Sequence, residues 1–238
     1  MAGATMKDIK LRIRSVESTM QITKAMQLVA SSKLRGARAR MEASRPYMKV
    51  ARTAVWDIAL HNTGAQSDYV IPIGRKARDY YARQGVPIVT EIEKVEGLTL
   101  ETCTEIARDV MARYDDGTYD EIVLAYTSFV SVLTQRTKLK PLLPLDAHDA
   151  PERTNRQMLC EPGADALLKQ FLPEYMAGLI YSAACDSFAS EQAARRVAMD
   201  SATKNAGEMI EDLSLRYNRA RQSSITQELT EIVAGAEH

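Results

Sequence analysis

No stretch of about 18 consecutive apolar residues occurs in the 238-residue sequence, so nothing in it is long and apolar enough to be expected to cross a bilayer. The start, MAGATMKDIK, lacks the apolar core of a secretory leader. Cysteine is scarce: Cys103, Cys160 and Cys185 lie far apart, with no CxxC and no zinc-ligand spacing. They read as free thiols of a reducing compartment, and a soluble, cytoplasmic chain is expected. Aromatic residues make up only 6%, against 45% apolar residues overall, which disfavours a β-sandwich and favours long helices rich in Ala, Met and Arg.

The chemistry of catalysis is also missing. There is no GxxxxGK[ST] phosphate loop, and Gly74-Arg75-Lys76 is a lone glycine before basic residues, a weak phosphate signal. His61, His148 and His238 accompany no HExxH and no nucleophile elbow. The acid pairs Asp115/Asp116 and Glu211/Asp212 have the character of turn and surface charges. Neither a cofactor nor a metal is expected, and no catalysis by this chain.

Charge sums to zero but is uneven. Met1–Trp56 carries 12 Lys/Arg and 3 Asp/Glu, a net of +9; Asp57–Cys160 is −4 and Glu161–His238 is −5. A basic segment of this kind points to an acidic partner.

Two long helical stretches bracket a mixed middle. From Ile9, alternate steps of four and three reach Ile13, Val16, Met20, Thr23, Gln27, Ala30, Leu34, Ala37, Met41, Ser44, Met48, Ala51, Val55 and Ile58. Of these 15 seam positions 12 are apolar, a sustained heptad pattern. Pro46 is the one serious breaker, with a kink expected near Arg45. A helix of that length would run roughly 80 Å, too long for one globular core, so it must project or pair. At the other end Ala206, Ile210, Leu213, Tyr217 and Ala220 repeat the four-three step, and Leu229, Ile232 and Val233 continue an apolar face. Two such helices from opposite chain ends suit an antiparallel coiled coil.

Between them, YVIPI (69–73), VPIV (86–89), EIVLAYTSFVSVL (121–133) and KLKPLLPL (138–145) read as strands. A helix ending at Gly85 and another over Thr99–Tyr114 are interleaved. The order β-α-β-α-β-β suggests a small α/β domain with a parallel core. The expected division is a first coiled-coil helix at 1–60, an α/β domain at 61–162 and a second coiled-coil helix at 163–238.

Both ends resemble the gamma subunit family of the F-type ATP synthase. The string ITKAMQLVASSK (Ile22–Lys33) is highly specific, and SEQAARRVAMDSATKNAGEMIEDLSLRYNRARQSSITQELTEIV (Ser190–Val233) is a second signature in the correct order. The middle agrees more loosely through IGRKARDYYARQG, YDEIVLAYTSFVSVLTQ and LLPL. The resemblance implies a Rossmann-like α/β domain beside the two-helix coil. It implies a bacterial, non-catalytic rotor that turns inside a ring of three alpha and three beta subunits and couples proton flow to ATP synthesis. It would stand on the epsilon subunit and the membrane ring of c subunits, as a peripheral protein on the cytoplasmic face of the cell membrane.

By the same resemblance Lys24, Ala25 and Met26 match the first-helix segment facing the beta subunits. Arg195 matches the arginine of the SEQAAR motif, and Arg221, Gln222, Thr226 and Glu228 match the polar set that contacts a beta subunit. Glu161 matches a rotor-ring-facing position, although its neighbours Met158 and Cys160 depart from the family's tyrosines. By spacing alone Met26 reads as core, the paired Arg195 and Arg196 as solvated, and Gln222 and Thr226 as ordinary surface.

One departure is large. The family carries a further strand and a Gly-rich loop after the first helix, whereas here Leu60-HNTGAQSD-Tyr69 leads straight into a later strand. This reads either as a deletion or as a stretch left out of the numbered chain. The exposed apolar edges of a sheet without its first strand favour the second reading. Two rival functions remain to be set against a rotor. A coiled-coil nucleic-acid binder would use the basic helix, which offers few aromatics to stack on bases. A free nucleotide-binding enzyme would have to work without a phosphate loop. No nucleic-acid partner is expected.

Overall fold

The structure is a computed structural model that describes residues 6–56, 69–90, 92, 95–144 and 164–236. The order is α1 (Met6–Trp56), α2 (Arg75–Gln84), a 3-10 turn (Val95–Gly97), α3 (Leu100–Asp115), β1 (Ile122–Phe129), β2 (Gln135–Leu143) and α4 (Ala164–Ala236). The described fold therefore consists of long first and last helices around a small mixed region. The helical assignment of α1 runs unbroken through Pro46, where a kink is the sequence expectation. Pro173 is likewise inside α4; being in the third turn, it deprives only the carbonyl four residues back of a partner.

Two compact units form: Met1–Ser32 with Ala193–His238, and Lys33–Gln192. In the first, the start of α1 pairs with the end of α4. Thr23 and Thr203 share a hydrogen bond of 2.9 Å between their hydroxyls, and Gln27 Nε2 donates to Asp200 Oδ1 at 2.8 Å. The residue number rises on one helix as it falls on the other, so the pairing is antiparallel. Ile9, Thr23 and Ala30 of the seam are buried, as are Ala206 and Leu213 across from it. Ile13, Val16, Met20, Gln27, Ile210, Tyr217 and Ala220 are half-buried. The heptad positions thus face inward, because a stripe repeating every 3.5 residues stays on one side of a slightly supercoiled helix.

The second unit has an apolar core in which Cys103, Ile106, Ala107 and Val110 of α3 meet Leu142 and Leu143 of β2 and Tyr175, Met176 and Ile180 of α4. Thr99 caps α3, its hydroxyl accepting the Thr102 N–H at 3.2 Å. Gly85 ends α2 at φ +71°, a left-handed conformation that costs glycine nothing. β1 and β2 pair antiparallel, with Leu124 opposite Lys140 and Thr127 opposite Thr137. Residues 130–134 form the turn, so the apolar run to Leu133 is shorter as a strand than its composition implies.

The parallel core suggested by the element order is much reduced. The only regular sheet among the described residues is the β1–β2 pair, and the parallel pairings are single bridges, Val70 to Ile88 and Ile73 to Ile92. The sequence runs from Leu60 through HNTGAQSD directly to Tyr69, so the further strand that the family resemblance implies has no counterpart in this chain.

Candidate functional site

The first unit holds seven of the residues singled out in the sequence: Lys24, Met26, Arg195, Arg221, Gln222, Thr226 and Glu228. Seam residues point at the partner helix, which leaves the remaining faces of each helix to solvent. Lys24, Ala25 and Met26 all lie on such faces, and Met26 is 43% exposed. The core role that spacing alone gives Met26 is therefore not its role. It sits one position off the seam residue Gln27, and the packing is already supplied by Thr23, Gln27 and Ala30.

Met26 has company that sequence reasoning missed. Ile22 and Val29, four residues before and three after it, are 57% and 56% exposed, and Leu28 is 66% exposed. Residues at i, i+4 and i+7 share a helix face, so Ile22, Met26 and Val29 form one outward apolar stripe. The signal was available as apolar residues at off-seam positions within ITKAMQLV. Beside the stripe, the seam turns polar. Asp200, also missed, receives Gln27 and holds Lys204 Nζ at 3.3 Å, while the Thr203 hydroxyl donates to the Met199 carbonyl at 2.8 Å. Nothing in a heptad count marks Asp200, since its role depends on the register between the helices.

That register sorts the candidate residues. With Thr23 opposite Thr203 and Gln27 opposite Asp200, Arg195 lies within two helical turns of Met26 along the axis, or about 10 Å. Lys24, Met26 and Arg195 thus share one zone of the coil. Carrying the register on places Met6 opposite roughly Ala220. Arg221 to Val233 therefore runs past the first described residue of α1, and every residue in it is exposed except the half-buried Ser224. Arg221, Gln222, Thr226 and Glu228 lie on this single-helix tip, about 40 Å along α4 from Arg195. The structure makes two sites of what the sequence presents as one set.

The tip is polar on one side and apolar on the other. Ile225, Leu229, Ile232 and Val233 are 48–67% exposed and repeat at three- and four-residue steps. Local hydrogen bonds stiffen the polar side: Thr226 Oγ1 donates to the Gln222 carbonyl at 2.9 Å and Ser224 Oγ to Glu228 Oε1 at 3.3 Å.

The SEQAAR motif divides between the two units. Ser190 is buried and donates to the Thr127 carbonyl at 3.3 Å, and Gln192 is 1% exposed, whereas Arg195 is exposed. Ser190, Gln192 and Ala193 of the motif are buried, whereas Glu191, Ala194 and Arg195 are exposed.

Elsewhere the described residues offer little chemistry. The Gly74 N–H donates to the Ile92 carbonyl at 2.7 Å, so that amide is not free to cradle an anion. Among the described residues no three His, Cys, Asp or Glu side chains cluster as a metal site would need. Burial, with the nearby Cys185 sulfur second, pushes the Cys103 thiol up to about 12, and burial raises Cys185 as well. Both are neutral core thiols. Glu161, Cys160, His61 and His148 lie outside the described residues, as does His238. No described helix is long and apolar enough to cross a membrane.

The sequence model of the ATP synthase family, described as "ATP synthase", matches residues 5–69 and 57–238. The chain is 39% identical over 277 positions to the ATP synthase gamma chain of Ruminococcus albus, covering 96% of each. It is 36% identical to that of Alkaliphilus metalliredigens over 285 positions, covering 99% of each. It is 35% identical to the "ATP synthase gamma chain, sodium ion specific" of Acetobacterium woodii, covering 97% of each. Both the two-piece family match and alignments longer than the chain itself place a gap inside it. Among solved structures, the rotor of the Euglena gracilis mitochondrial ATP synthase superposes with a TM-score of 0.66 at 15% identity, over 92% of this chain and 98% of that one. A central-stalk chain of the Tetrahymena thermophila enzyme gives 0.53 at 23% identity, over 76% of this chain and 99% of that one. At such identities these likenesses speak for the fold alone.

Proposed function

The chain belongs to the ATP synthase gamma-chain family, and from that premise we propose that it is the central-stalk rotor of an F-type ATP synthase. It is a subunit of that complex and not its catalyst. The observation that carries the reading is the first unit: an antiparallel helix pair whose polar seam is made by Thr23, Gln27, Asp200 and Thr203 and whose outer faces display unpaired apolar side chains. A two-helix rod has no threefold symmetry. Inside a ring of three alpha and three beta subunits it meets each beta subunit with a different face. Rotation then changes which nucleotide-site conformation each contact favours, and a ligand-like contact can shift an equilibrium only by its differential affinity for the two states. Proton flow would drive the turning, and the named relative from Acetobacterium woodii makes the coupling ion itself a matter for measurement.

In this reading Lys24, Met26 and Arg195 are the mid-coil contacts to beta subunits, and Arg221, Gln222, Thr226 and Glu228 the contacts at the tip. Their exposure supports both groups. Glu161 would face the c-subunit ring, with the epsilon subunit alongside the α/β region, on the cytoplasmic face of the membrane. The three-part division at 1–60, 61–162 and 163–238 goes with this placement. The test is reconstitution: the chain is added to alpha and beta subunits and to membranes stripped of their own gamma chain. Restored ATP-driven ion pumping and a complex of one gamma chain per three alpha and three beta subunits are expected. A chain that binds DNA with a steep salt dependence and does not join alpha and beta subunits would overturn the proposal.

A further inference from the structure

The second unit contains an apolar cavity of about 550 Å³, within the range of small-ligand sites. Its walls include Ile106, Met176 and Ile180, and two of its sides are segments of extended backbone. One is 69–73. There Val70 N–H and C=O, the Pro72 carbonyl and the Gly74 N–H all bond toward residues 87–92. Backbone groups alternate sides along a strand, so those of Ile71 point the other way. They have no backbone partner among the described residues, and Ile71 lines the cavity.

The opposite side is β1, which pairs with β2 along one edge only. Which residues face the other edge is fixed by Thr127: its N–H donates to Ser187 Oγ at 3.0 Å and its carbonyl accepts from Ser190 at 3.3 Å, so both its backbone groups point away from β2. By alternation the backbone groups of Val123 and Ala125 point the same way, and both residues line the cavity. Two strand edges, each paired on its outer side, therefore flank one apolar space, which Ser187 also lines.

We propose that this cavity is a strand-accepting slot, filled in the assembled protein by an extended apolar segment of another polypeptide that pairs with the edges at Ile71 and at Val123–Ala125. Three observations favour that occupant. Unpaired strand edges bind backbone, which is the way peptides are added to open sheets. A strand inserted between two others is covered on both faces, which calls for an unbroken Val/Ile-rich sequence. The chain has none to spare: the segment preceding Tyr69 reads HNTGAQSD and that following Pro144 reads LDAHDAPERTNRQ, both polar and proline- or glycine-broken. Relatives align over more positions than this chain possesses, and the family match comes in two pieces, 5–69 and 57–238. The inference does not depend on the rotor reading.

The test uses the full chain and a fluorescein-labelled peptide, Lys-Lys-Val-Ile-Val-Ile-Val. A control peptide has its middle Val replaced by Pro, which removes an N–H and locks the backbone. Saturable binding by fluorescence anisotropy is expected, weakened at least about tenfold for the control peptide. The Ala125→Pro chain should lose binding to the same degree. Its missing N–H lies on the free edge and leaves the β2 ladder whole, a position at which a strand tolerates proline. If that variant misfolds, hydrogen exchange on the unaltered chain decides: the amides of Ile71, Val123 and Ala125 should exchange fast alone and slowly with peptide. Equal binding of both peptides, unsaturable binding, or protection of those three amides in the free chain would each overturn the proposal. The last would mean that the chain fills the slot itself.

Discussion

At the scale of single residues, position relative to the seam decides what a side chain does. Met26 and Gln27 are neighbours in sequence, yet one is displayed and the other spans the helix pair. Met26→Lys is expected to leave the unfolding midpoint of the isolated chain unchanged, since the side chain already faces water. In reconstituted enzyme it should lower ion pumping per ATP hydrolysed, because it adds charge to a helix of net +9. Unaltered pumping would remove Met26 from the contact set. The polar seam gives a contrasting prediction. Replacing Thr23 by Val and Gln27 by Leu makes the seam continuous, and polar residues at such positions set register at a cost in stability. The double variant should unfold at a higher temperature and pump less efficiently. A lower Tm would show that the bonds to Thr203 and Asp200 outweigh apolar packing here. Cys103 supplies a pH test. Its thiol titrates higher folded than unfolded, so its contribution to stability is whole below the ordinary thiol range. That contribution drains away as pH rises from about 9 toward about 12. Thiol reagents at mildly alkaline pH should label Cys103 and Cys185 only as fast as the second unit opens, measured by mass spectrometry.

At the scale of elements, α4 changes character along its length. It begins among α3 and β2, continues as half of a pair and ends as a lone helix. An isolated helix is marginal in water, and the tip leans on back-bonds such as Thr230 to Thr226 and on Gln227 to Glu231. Truncation after Ile225 removes no seam contact, so Tm should be unchanged. Assembly with alpha and beta subunits, followed by size-exclusion chromatography, should suffer. A large fall in Tm would mean that the tip is packed and not free. At the start of α3, Thr99→Ala removes the cap from the Thr102 N–H and should cost about 1 kcal/mol in the denaturant unfolding of the second unit.

At the scale of the whole molecule, charge is partitioned by sequence position: basic before Trp56, acidic after Cys160. Association with alpha and beta subunits should therefore slow as salt is raised, since exposed charges beyond a Debye length of about 10 Å at 0.1 M are screened. A rate indifferent to salt in stopped-flow mixing would assign the encounter to the apolar stripe of Ile22, Met26 and Val29. Much of this protein could be read from its sequence, because helix faces follow from local periodicity. The buried Ile9, Ala30 and Leu34 and the half-buried Ile210 and Tyr217 fall on the four-three steps, and the turns at Gly85 and Gly117 carry positive φ where glycine alone is comfortable. The family signatures at both ends were legible for the same reason, being contiguous. The sequence could not say which residue stands across from which. Asp200 matters because register sets it against Gln27, the tip of α4 runs past the first described residue of α1, and YVIPI is a bridging segment and not one strand of a broad sheet. These are pairings between residues far apart in the chain, and only the closing of the tertiary structure, where backbone edges and helix faces compete for the same partners, decides them.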